Sequence, residues 1–182
     1  MSAAQDHKDL RVGVIGLGFA GSTHLDAFTS LEGATVVALA GQEPARLDEL
    51  GTSRGVPHLY ADWQDLVARD DLDIVSIGVP NDLHHPIAMA ALQSGKHVFC
   101  EKPLATTGDL AAEMVAAAKA ADRVLEVAYN HRRRADVSFL GSTSPTIRSV
   151  TSTTRGPAGS GAPGSRGSAP GSRARRPPVA DP

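Results

Sequence analysis

Apolar residues along this chain fall into short, nearly continuous runs separated by longer stretches in which they recur every three or four positions. The runs, rich in Val and Ile, lie at Arg11–Ile15, Thr35–Ala40, Asp73–Gly78, His97–Cys100 and Arg123–Ala128, with a shorter, weaker one at His58–Tyr60. Apolarity that does not alternate predicts strands buried on both faces, as in a parallel sheet wrapped by helices. The intervening stretches Phe19–Ser30, Pro44–Arg54, Asp62–Ala68, His84–Ser94 and Thr106–Ala121 predict those helices. Pro44 suits a first helical turn, Asp62 is placed to cap the helix carrying Trp63, Leu66 and Val67, and Gly95 suits the position that ends its helix. Trp63 reads as a packing anchor. Strand and helix in strict alternation, joined by right-handed crossovers, give an α/β fold with a doubly wound parallel sheet, whose ligands bind at the carboxyl ends of the strands.

The first strand runs straight into Gly16-Leu17-Gly18-Phe19-Ala20-Gly21, three glycines spaced G-x-G-x-x-G at a strand-to-helix turn. Each has a distinct task in a dinucleotide site: Gly16 permits the turn, Gly18 lets backbone approach a pyrophosphate, and Gly21 lets the helix pack close. The N–H groups and positive dipole of the helix end then face the phosphates. Such glycines also occur in plain tight turns, but here a strand precedes and an amphipathic helix follows.

Further motifs lie at the ends of later strands. Val79-Pro80-Asn81 follows the fourth apolar run, with His84 shortly after, and Gly95-Lys96-His97-Val98-Phe99-Cys100-Glu101-Lys102-Pro103-Leu104-Ala105 spans the next strand and its turn. Tyr129-Asn130-His131-Arg132 follows the last strand. Pro80 fixes the chain direction, and Asn81 either offers its amide to a ribose or carboxamide or caps the next helix. His84 reads as a cofactor-side residue or a plain helix position, and His85 as a solvated one.

In order and spacing these motifs resemble the N-terminal half of the glucose–fructose oxidoreductase, inositol dehydrogenase and rhizopine catabolism (Gfo/Idh/MocA) family, over about residues 10 to 140. The resemblance implies an NAD(P)-binding Rossmann domain and hydride transfer between nicotinamide and a hydroxyl of a sugar, cyclitol or other polyol. It implies cofactor contacts from Gly16, Gly18, Phe19, Ala20, Gly21, Gln42, Pro80, Asn81, His84, Glu101, Lys102 and Asn130. It makes Lys102 the catalytic residue, near the nicotinamide and the reacting hydroxyl, often before a cis proline peptide, and brings Lys102 and Arg132 to substrate. An ammonium there lowers the pKa of an alcohol or holds its oxygen for hydride loss. No metal site is expected. Arg133 and Arg134 read as solvated charge.

One departure bears on the choice between NAD and NADP. A ribose-gripping acid is expected about 20 residues past the fingerprint. In Leu39-Ala40-Gly41-Gln42-Glu43 a glycine holds that place, so a 2′-phosphate meets less repulsion, with Gln42 or Arg46 within reach and Glu43 a partial substitute for the acid. The expected cofactor is NAD or NADP, with the balance toward NADP.

Composition divides the chain at Leu140. The whole carries net charge −2, yet residues 141–182 hold six arginines against one acid and draw 27 of 42 positions from Gly, Pro, Ser and Thr, with no aromatic. Such a segment buries too little apolar area to offset its ordering entropy and is expected to be disordered. Arginines without interleaved aromatics predict only weak, salt-sensitive attraction to nucleic acid. Domains are thus expected at 1–140, the NAD(P)-binding Rossmann domain, and at 141–182, a tail. Ala135–Leu140 reads like the opening of the family's linking helix, broken off mid-helix. The abrupt change predicts that 141–182 is a frameshift or otherwise aberrant product, and that the family's second α+β domain, with its catalytic histidine, is absent. A chain so truncated is expected to bind cofactor without turnover and to self-associate through surface exposed around the sixth strand. The alternative reading is a non-catalytic NAD(P)-binding module, a redox sensor or a subunit completed by a partner chain. No stretch suits a membrane span or leader, and a single cysteine, Cys100, fits a reducing compartment, so the cytoplasm is expected.

Overall fold

The apolar runs pair side by side in a computed structural model that describes residues 9–129. The strands are β1 (Leu10–Ile15), β2 (Ala34–Ala40), β3 (His58–Tyr60), β4 (Ile74–Ile77), β5 (His97–Cys100) and β6 (Leu125–Val127). All pairings are parallel, in the order β3-β2-β1-β4-β5-β6. The order reverses between β1 and β4, so a crevice opens there at the carboxyl ends of the strands. The helices are α1 (Phe19–Thr29), α2 (Pro44–Arg54), α3 (Trp63–Val67), α4 (His84–Gln93) and α5 (Gly108–Ala121), with a short 3-10 turn at Asn81–Leu83.

Two apolar layers hold the sheet. Leu25, Leu47 and Leu50 of α1 and α2 pack on Val12, Val14 and Leu39. On the opposite face Leu66, Ile87, Leu92 and Met114 pack on Ile15, Val75, Ile77 and Val98. Burial on both faces is what the non-alternating runs require.

Differences from the expected elements are small and local. Asp62 holds the N-cap position of α3, but its carboxylate makes no capping bond. Helix α5 starts at Gly108 because the Thr107 hydroxyl accepts the Leu110 N–H at 3.3 Å, a cap that ends the extended segment before it. The edge strand β6 is shorter than Arg123–Ala128 because the preceding residues turn to other partners. The Arg123 guanidinium donates to the Gly95 carbonyl at 2.6 Å and the Val124 N–H to His97 Nδ1 at 3.0 Å. Pro44 opens α2 and Gly95 takes φ +74° after α4, both as expected. Trp63 is half-buried against the core. Asn130, Arg132 and the whole of 141–182 lie outside the described residues. Among the described residues no helix is long and apolar enough to cross a membrane.

Candidate functional site

The turn after β1 is built by backbone packing that only glycine permits. Gly16 takes φ +117°, and a Cβ there would collide with the carbonyl oxygen of Gly78. A Cβ on Gly21 would collide with the carbonyl oxygen of Gly16, and one on Gly78 would lie 2.6 Å from the Gly21 nitrogen. The first turn of α1 therefore presses directly on the ends of β1 and β4. Gly78, the third member of this contact, is invisible to a local motif because its need for glycine comes from a chain segment more than fifty residues away.

Gly18 differs in kind. It is exposed, takes φ −73° and ψ −172°, and an added Cβ would meet nothing within 4 Å. Neither packing nor conformation demands glycine at this position. It is the N-cap of α1 without a side-chain cap, and the first helical bond runs from Ser22 N–H to Gly18 O at 2.9 Å. The amides of the first turn are left for another acceptor, at the positive end of the helix dipole.

These residues line a cleft of about 480 Å³, to which Gly16, Gly18, Phe19, Ala20, Gln42, Trp63 and Pro80 contribute. Phe19 is 91% exposed at its mouth. Gly21 supports the cleft from behind, in the contact described above. Gly41, where a ribose-gripping acid is expected, has a packing reason to be glycine: a Cβ there would run into the side chain of buried Leu17. Gln42 and Glu43 beside it are exposed, while Arg46 is engaged with Glu49 at 2.9 Å.

The turns after β4 and β5 form the neighbouring edge. The His84 ring is fully buried and joins them, Nε2 lying 3.0 Å from the Val79 carbonyl and Nδ1 2.8 Å from the Pro103 carbonyl. Both of its nitrogens face backbone, so its place is between the two turns rather than on an open surface. Asn81 is exposed in the 3-10 turn, and neither that turn nor α4 takes a side-chain cap, which removes the capping alternative. The Lys102–Pro103 peptide is cis. The Lys102 side chain is exposed and forms no ion pair among the described residues.

Glu101 connects this edge to α1. One carboxylate oxygen accepts the Lys102 N–H at 3.0 Å, and the other lies 3.4 Å from His24 Nε2. His24 is buried, its Nδ1 3.0 Å from the hydroxyl of Ser76 and its ring centroid 4.9 Å from that of Phe99. Burial lowers its pKa, with Glu101 acting against that shift. No reading of the sequence selects His24. A signal was present, since it stands one helical turn past Gly21 on the sheet-facing side of α1, where a histidine replaces an expected aliphatic residue. Cys100 is sealed in the core, and burial pushes its thiol up to about 12, so it is inert.

Known proteins match this body of the chain. Residues 10–129 fit the model of an oxidoreductase family with an NAD-binding Rossmann fold, GFO_IDH_MocA. The levoglucosan dehydrogenase of Pseudarthrobacter phenanthrenivorans is 37% identical over an alignment of 142 residues that covers 72% of this chain and 36% of that protein. A glycosyl hydrolase family 109 protein of Shewanella pealeana is 41% identical over an alignment of 109 residues that covers 55% of this chain and 24% of that protein. The solved structure of scyllo-inositol dehydrogenase from Lactobacillus casei, with bound NAD(H) and scyllo-inositol, superposes with a TM-score of 0.70 at 26% identity, covering 74% of this chain and 40% of that one. The chain spans about a quarter to a third of the length of these two curated relatives.

Proposed function

Because the chain belongs to this oxidoreductase family with its NAD-binding Rossmann fold, we propose that it binds a nicotinamide dinucleotide across the carboxyl ends of β1, β4 and β5, and that the whole protein is a dehydrogenase of sugar or cyclitol hydroxyls. The observation that carries this is Gly18, a glycine with open space where every other constraint is lifted, at a helix N-terminus that opens onto the cleft. The pyrophosphate is assigned to the Gly16–Gly21 turn, with Phe19 and Ala20 beside it. The adenosine ribose is assigned to Gln42, and the nicotinamide end to Pro80, Asn81, Glu101 and Lys102. His84 holds the two turns of that end together. Asn130 and Arg132 are assigned to the same end by resemblance alone.

When bound, the dinucleotide supplies the hydride acceptor. The chemistry left to this chain is to hold the alcohol, whose hydroxyl proton passes to water or to a base elsewhere in the whole protein. The Lys102 ammonium, exposed and unengaged, is suited to donate a hydrogen bond to the substrate oxygen, which favours the alkoxide as the C–H bond breaks. We assign NADP as the preferred cofactor, since no carboxylate stands at position 41 and Gln42 is free to donate to a phosphate.

A relative named as a dehydrogenase and one named as a glycosyl hydrolase both match this chain, so these matches do not fix the substrate chemistry. A second reading is therefore cofactor binding by this chain without turnover, as a binding module or a partner subunit. A screen of inositols, aldoses and sugar acids with NAD⁺ and NADP⁺, read at the reduced-nicotinamide absorbance, separates the two. Turnover that disappears in Lys102→Ala supports the dehydrogenase for this chain, whereas cofactor binding with no turnover supports the module.

A further inference from the structure

We propose that His24 is a positioning residue: from inside α1 it holds the Glu101 carboxylate, and through it the backbone of Lys102, so that the glycine turn and the Lys102 edge are set as one unit. The inference rests on the cofactor site proposed above but concerns a residue that no motif assigned to it.

Proton accounting fixes which ring nitrogen carries the hydrogen. An ionised Glu101 carboxylate only accepts, so the His24 nitrogen facing it, Nε2, carries the hydrogen. The neutral ring then has a bare Nδ1, which accepts the hydroxyl hydrogen of Ser76 at 3.0 Å. The opposite tautomer would set a lone pair against a carboxylate. Burial favours the neutral ring, in keeping with its lowered pKa. The 3.4 Å separation from Glu101 is longer than a tight hydrogen bond, so the link is a dipole of the ring N–H set toward the carboxylate.

The consequence falls on Lys102. Glu101 and Lys102 are sequence neighbours of opposite charge, yet they form no ion pair. One carboxylate oxygen takes the Lys102 N–H and the other faces His24 Nε2, so Glu101 is drawn toward α1 and the ammonium stays exposed. Releasing His24 frees Glu101 to swing onto that ammonium.

Two other readings of the same atoms fail. Ser76, His24 and Glu101 have the residue types of a hydrolytic triad, but Ser76 is fully buried within β4 and can meet no substrate. A core histidine kept only for packing needs no carboxylate partner at all, and the Phe99 ring would pack as well against a phenylalanine.

The test uses the full chain with His24→Phe, which keeps the ring contact, and His24→Gln, whose amide keeps an N–H donor toward Glu101. NADH and ADP-ribose are titrated by fluorescence and calorimetry, and the Lys102 amide is followed by ¹H–¹⁵N NMR. His24→Phe is expected to weaken NADH by about tenfold, the scale of one charge-assisted hydrogen bond, and to leave ADP-ribose unchanged. It is expected to speed Lys102 amide exchange, and His24→Gln to restore both. Equal weakening of the two ligands, or an unmoved Lys102 amide, overturns the proposal. The wild-type His24 ring ¹⁵N shifts decide it without any variant: the Nε2–H tautomer is expected, and the Nδ1–H tautomer overturns it. If neither ligand binds the wild type, the cofactor site fails while the amide and tautomer readings still judge the His24 link.

Discussion

Gly18→Asp separates ligand binding from folding more cleanly than any other change in the fingerprint. At φ −73° and ψ −172° the backbone accepts any residue, and no atom lies within 4 Å of the new Cβ. Aspartate is a better N-cap than glycine by a few tenths of a kcal/mol, and its charge at the helix N-terminus adds about 0.3–1 kcal/mol. Thermal stability is therefore expected to hold or rise slightly. The same carboxylate takes the first-turn amides from a pyrophosphate and repels it: two charges about 4 Å apart at a surface site cost roughly 1–4 kcal/mol, a loss of at least fivefold in affinity. Gly21→Ala should act on the fold first. Its Cβ meets the Gly16 carbonyl, backbone against backbone, which no rotamer relieves. Overpacking of this kind costs about 1–3 kcal/mol and lowers Tm by roughly 4–12 °C in a domain of this size. Calorimetric melting of the two variants, paired with NADPH titration, reads both effects. A Gly18→Asp protein that melts as early as Gly21→Ala, or binds NADPH as the wild type does, refutes the assignment of the three glycines.

Further expectations concern the cofactor's ribose and the acid stability of the fold. Installing the missing acid by Gly41→Asp is expected to cost about 1–3 kcal/mol, because its Cβ enters the Leu17 side chain. The cost should shrink in a Leu17→Ala background, and a thermal-melt double-mutant cycle showing strict additivity would argue against this packing origin. At the amino-terminal edge of the sheet, Arg69 and Arg11 hydrogen-bond Asp71 and hold its carboxyl well below the usual carboxylate range. A depressed folded-state pKa gives stability that is present above the unfolded value of about 3.9 and lost as pH falls below it. For a group this exposed the contribution is discounted to about 1 kcal/mol. Asp71→Asn should thus destabilise at pH 7 and converge on the wild type by about pH 2, and a constant difference across denaturant melts at both pH values would contradict it.

The fold could be read from the sequence because its signals are local. Val and Ile runs that do not alternate, Pro44 at a helix start and Gly95 at a helix end each act within a few residues. The structure places each of these elements where the sequence predicts it, with β6 shortened at its ends. Asp62 shows the limit of local reading, since a residue suited to cap sits at the cap position and makes no bond. The site was less legible because its constraints are long-range. Gly78 is fixed by the backbone of Gly21, and His24 by a carboxylate 77 residues away. In the sequence Gly41 reads as a question of charge, whereas the structure makes it a question of space set by Leu17. The motif marks His84, but only three-dimensional contact shows its two nitrogens on the carbonyls of Val79 and Pro103.

The central claim, that this chain carries a nicotinamide dinucleotide on its glycine turn, is tested most directly by titrating NADPH and NADH into the 182-residue protein and its Gly18→Asp variant. Energy transfer from the single tryptophan, Trp63, which lines the cleft, to reduced nicotinamide gives the signal. Saturable binding, tighter for NADPH and weakened at least fivefold by Gly18→Asp, is the predicted result. A folded wild-type chain that binds neither nucleotide, or a variant that binds them equally well, would contradict it.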